Sequence, residues 1–85
     1  MDTVLTTPTR NELKVGESVV RACYDMEKEL YCVMLERIDM TYALQGFDPL
    51  TREWTNGIIL PNLTVARHVY TESTSGAHHV HVMCA

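Results

Sequence analysis

The sequence predicts a mainly β protein, a small five-stranded antiparallel barrel that is strongly bent. Three observations lead there. The apolar runs are strand-sized, they are rich in Val, Ile and Tyr, and Gly, Pro, Asn or Asp punctuates the gaps between them. In chain order, residues 1–12 are rich in Thr without an apolar period and read as a flexible leader. The barrel domain is expected over 13–70, and 71–85 reads as a C-terminal tail or an additional edge strand. Gly16 turns the chain into a first strand over 19–24. A second strand follows over 30–38 and a third over 41–47. The triplet Thr55, Asn56 and Gly57 reads as a hairpin turn, with a fourth strand over 57–60 and a fifth over 64–70.

The competing reading is an α+β protein with a long helix over 26–45, because Leu30, Val33, Met34, Ile38 and Tyr42 recur at helical spacing. Against it, Tyr31, Cys32 and Leu35 fall off that stripe, and Asp25 begins no capping box.

Composition narrows the function classes. With 85 residues, 46% of them hydrophobic, the chain has material for one small core. A net charge of -4 with scattered Lys and Arg disfavours direct nucleic-acid binding, which needs clustered positive charge. No apolar run is long enough for a membrane span, and Met1 to Leu5 lacks a signal-peptide pattern, so the chain reads as intracellular, cytoplasmic or nuclear. The three cysteines Cys23, Cys32 and Cys84 show no paired spacing and read as reduced thiols.

Catalytic motifs are missing. Glu27, Glu29, Glu36, Asp39 and Asp48 offer carboxylates, but no spacing puts two in a shared cleft, and there is no phosphate loop or nucleophile elbow. A non-enzymatic protein without a cofactor is expected. His79 and His81 alternate, so on a strand they point to one face as two metal ligands do, and His68 is a third candidate. Trp54, among polar neighbours, reads either as a cap on one end of the barrel or as an interface anchor.

The run Leu13 to Glu17, then Val20, Ala22 and Tyr24, then Leu30 and Tyr31, Ile38 and Asp39, Phe47 and Asp48 resembles the opening of a Tudor domain. That resemblance covers residues 13–70 and implies a barrel of the Src-homology-3 type. It also implies that Tyr24, Tyr31 and Phe47 hold cage positions for a methylated side chain, with Asp48 balancing its charge. Leu50 stands where a fourth aromatic belongs. The stretch is similar to Sm-like barrels as well, but the base-binding Asn near Tyr42 is missing, and Leu60 and Pro61 replace the Arg-Gly pair. An RNA pocket is therefore not expected.

The function expected from these readings is a Tudor-like or Sm-like adaptor that docks onto a protein partner, a methylated peptide or assembly subunits among them. Tyr24, Tyr31, Phe47, Asp48 and Trp54 would form its contact rim. The alternatives are a structural subunit of a large assembly or a small viral or phage inhibitor, and a metal-binding protein using the C-terminal histidines.

Overall fold

Four of the runs expected to be strands become strands, and a fifth strand forms in the C-terminal segment. In the computed structural model, which describes residues 6–84 with side chains to residue 82, these are β1 (Ser18–Asp25), β2 (Leu30–Glu36), β3 (Tyr42–Asp48), β4 (Glu53–Leu60) and β5 (His79–Cys84). One α-helix, α1 (Leu63–Ser73), joins β4 to β5. The strands make a single antiparallel sheet in the order β4-β3-β2-β1-β5.

Aspartates build all three hairpin turns. Asp25 Oδ1 accepts the amides of Glu27 and Lys28, and Asp48 Oδ1 accepts those of Leu50 and Thr51. Each of these two loops closes with a residue in the left-handed region, Glu29 at φ 58° and Arg52 at φ 63°. Their amides return to the carbonyls of Asp25 and Asp48, both at 2.8 Å. Asp39 accepts the amide of Thr41 in the third turn, beside Met40 at φ 67°. Short Asx-type bonds of this kind supply locally the partners that a turn removes from the ladder.

The inner strands bury both of their faces. One face carries Ala22, Tyr31, Val33, Leu35, Ala43 and Phe47, with Leu13, Val19, Tyr24 and Trp54 packed at its margin. The other carries Cys23, Met34, Leu44 and Leu60, and α1 lays Ala66 and Tyr70 onto it. We call these the leader face and the helix face.

The mainly β expectation holds, with three differences in detail. The sheet is not closed: β4 and β5 are its free edges, so the expected barrel is not what the described residues form. The predicted fifth strand over 64–70 lies inside α1. Asn62 caps that helix by accepting the Val65 amide at 2.9 Å, and Leu63, Ala66 and Tyr70 share the buried stripe, so tertiary burial overrides the β preference of Thr64, Val65 and Val69. The alternative helix over 26–45 is not formed, because Asp25 closes a turn and two paired strands follow it. β4 also starts earlier than expected. Its hairpin turn is 49–52, and Thr55 and Asn56 sit at an irregularity of the β3–β4 ladder where a turn was read.

Residues 1–5, the start of the expected leader, lie outside the described residues. Residues 10–12 form a 3-10 turn, and Gly16, at φ 81°, makes the bend before β1; a Cβ there would stand 2.6 Å from the Cβ of Ile38. No helix among the described residues is long and apolar enough to cross a membrane.

Candidate functional site

Tyr24, Tyr31, Phe47 and Trp54 occupy matched register positions on four consecutive strands, so the sheet aligns all four aromatics of the expected rim in one row. The rings interlock. Tyr24 and Tyr31 meet edge to face at 5.1 Å between centroids, and Phe47 and Trp54 are tilted at 4.8 Å. Phe47 and Tyr31 are buried, and only the two ends of the row, Tyr24 and Trp54, are half-exposed.

A cation already lies on this row. The Arg52 guanidinium stands 4.8 Å from the centroid of Phe47. It donates to Glu12 through Nε at 2.9 Å and Nη2 at 2.6 Å, and to the carbonyls of Thr6 and Thr7 at 3.0 and 3.2 Å. Trp54 Nε1 donates to the Glu12 carbonyl at 2.8 Å. The Arg52 hydrogen bond, with further bonds from Thr9, holds the Glu12 carboxyl down at about 2. The row thus fastens residues 6–12 across the sheet. Asp48 is engaged in its turn, and Leu50 is exposed beyond it.

This geometry makes Trp54 a structural group. Trp54→Ala is expected to lower stability by about 2 to 3 kcal/mol, and Trp54→Phe, which keeps a ring but loses the N–H, by about 1 kcal/mol. Urea unfolding measures both. A loss below about 0.5 kcal/mol for Trp54→Ala would mark the indole as a surface group.

β4 is the second feature. Its outer edge is unpaired among the described residues, and Ile58 and Ile59 are 50% and 58% exposed on its two sides.

The third feature gathers titratable groups at the opposite end of the sheet. Antiparallel pairing sets His79 of β5 opposite Asp25 of β1. Asp25 is 6% exposed, its Oδ2 lies 3.3 Å from His79 Nε2, and its Oδ1 lies 3.6 Å from His78 Nε2. His78 Nδ1 faces Glu27 Oε2 at 3.6 Å. Burial raises the Asp25 carboxyl, but the Lys28 and Glu27 amides and the two imidazoles outweigh it and hold the group below its ordinary value. Asp25, His78 and His79 each offer one ligand atom within 4.8 Å of the others.

Of the histidines singled out in the sequence, only His79 joins this cluster. His68 is exposed on α1, and His81 sits beside Tyr70, with Nδ1 at 3.5 Å from the phenol oxygen. Asp25 and His78 were missed because strand pairing alone brings them together. The adjacent pair His78 and His79 was the one legible signal.

A cavity of about 250 Å³ adjoins the cluster, lined by Asp25 and His79 together with Lys28, Cys32, Thr55 and Asn56 among others. Cys32 stands opposite Cys23, and burial pushes the Cys32 thiol up to about 11. It is therefore a protonated, weakly nucleophilic group at neutral pH. The side chain of Cys84 lies outside the described residues. No family model, curated protein or solved structure matches the chain, so its function is read from this geometry alone.

Proposed function

We propose that the chain is a non-enzymatic protein-interaction module that takes an extended segment of a protein partner onto the free edge of β4. One observation carries this reading: β4 presents eight residues of edge strand with Ile58 and Ile59 about half exposed, and it contains no Lys or Pro. Soluble sheets ordinarily blunt such an edge, because unpaired N–H and C=O groups beside apolar side chains recruit another strand. An added strand gains main-chain hydrogen bonds and seats alternate side chains against the sheet. The partner segment is apolar at two successive positions, one on each face of the sheet, to meet Ile58 and Ile59, and net basic, to suit a chain of charge -4.

Docking onto a protein partner is also the role that the Sm-like resemblance implies. Docking at the sheet edge keeps the adaptor function and moves the contact surface from the aromatic rim to β4. The Tudor-like cage is the weaker version, because Phe47 already holds Arg52.

Selection of displayed random peptides against the folded chain tests the proposal. Selected ligands are expected to shift the amides of residues 57–60, and Ile59→Lys is expected to weaken them at least about tenfold, or 1.4 kcal/mol, without changing the melt. Ligands that shift other residues and ignore Ile59→Lys would sink it. A trimethyl-lysine peptide is expected to leave Tyr24 and Trp54 unshifted; shifts there would restore the cage. Concentration-dependent dimers that Ile59→Lys abolishes would instead assign the edge to a second copy of the chain and favour the assembly-subunit alternative.

A further inference from the structure

We propose that Asp25, His78 and His79 form a site for one divalent transition-metal ion of borderline softness, such as zinc, which ties the start of β5 to the β1–β2 turn. This site is separate from the β4 edge and stands or falls independently of it.

The donor set is two imidazoles and one carboxylate. Such a set suits zinc and its neighbours rather than calcium or magnesium, which prefer all-oxygen shells. Three protein ligands leave a fourth position of a tetrahedral shell for water or another small ligand. The cavity beside Asp25 and His79 has room for it.

Distances agree with a shared ion. Zinc bonds of about 2.0 to 2.2 Å set two tetrahedral donors roughly 3.4 Å apart. Asp25 Oδ2 and His79 Nε2 are 3.3 Å apart. The widest donor separation is within 4.8 Å, and His78, whose side chain is 39% exposed, has the freedom to swing inward.

The surrounding groups are those that metal ligands need. His79 Nδ1 lies 3.3 Å from the Gly76 carbonyl, a contact that turns Nε2 toward Asp25. Asp25 Oδ1 is oriented by the Glu27 and Lys28 amides at 2.9 and 3.0 Å. Glu27 Oε2 faces the other nitrogen of His78. Such outer contacts fix the tautomer and direction of each ligand before an ion arrives. The backbone adds a further tie, as the Met26 amide donates to the His78 carbonyl at 2.9 Å.

The two imidazoles, tilted by 38° with centroids 4.2 Å apart, converge on one carboxylate, the arrangement a shared ion requires.

The experiment is titration of the untagged full chain with Zn²⁺ against a chromophoric chelator, with Co²⁺ absorption to report coordination. One ion per chain in the micromolar range or tighter is expected, with ring-proton shifts at His78 and His79. His78→Gln and His79→Gln should each weaken binding at least about tenfold, as loss of a ligand or of its support does. Asp25→Asn keeps an oxygen for the turn amides and should weaken it too. His68→Gln and His81→Gln should change nothing, and Ca²⁺ and Mg²⁺ should not compete. Amide spectra of His78→Gln, the half-exposed position, keep a folding defect separate from a lost ligand. The proposal is overturned by absence of binding, by binding that survives the His78→Gln and His79→Gln double variant, or by binding that depends on His68 or His81.

Discussion

Tyr70→Ala is expected to remove about 3 to 5 kcal/mol of stability, the range for deleting a large buried ring. Tyr70 is 2% exposed and packs in the cluster of Cys23, Met34, Leu44, Leu60 and Ala66, so it is the main attachment of α1 to the sheet. A chain of 85 residues holds only a few kcal/mol in reserve. The variant should therefore lose its cooperative melt near room temperature, with α1 and β5 released together. His68→Ala, two residues away and exposed, should stay within about 0.5 kcal/mol of the parent. Urea denaturation of the two variants compares them directly. Equal stabilities would mean that α1 is not anchored through Tyr70.

The same residue shows why the helix was hard to read. Thr64, Val65, Val69 and Tyr70 are strand formers by preference, and Pro61 with Asn62 looks like a turn. Asn62 is in fact a helix cap, and the spacing of Leu63, Ala66 and Tyr70 is the helical signal. β1 to β3 were legible within about two residues, because burial on both faces makes them continuous apolar runs. β4 was only half legible: Asn56 and Gly57 read as a hairpin turn in isolation. The real turn depends on Asp48 and on Arg52 in the left-handed region, a conformation that sequence propensity does not assign to arginine.

The candidate site divides in the same way. The aromatic row was visible as four separate residues, and pairing register alone turned them into one layer. Asp25 gave no sign of a connection to the C-terminal histidines. The contact arises because β5 returns past α1 to pair with β1, a long-range event that local spacing does not encode.

Phe47→Ala carries an effect of similar size, about 3 to 5 kcal/mol, for a ring with no solvent exposure. Phe47→Leu is the more informative variant. It nearly conserves volume, so its packing loss should stay below about 1.5 kcal/mol, and it removes the π face beneath Arg52, worth about 0.5 to 1 kcal/mol more. Arg52 keeps Glu12 and the carbonyls of Thr6 and Thr7 but loses the surface that holds its guanidinium flat. Residues 6–12 should then open more often while β1 to β3 stay protected, and amide exchange should accelerate in that segment alone. Unchanged exchange there would show that hydrogen bonds to Arg52 suffice without the ring. A methylated side chain would meet the same requirement, since it could reach Phe47 only by displacing Arg52 from the Glu12 pair, and ligand binding there would have to release the N-terminal segment.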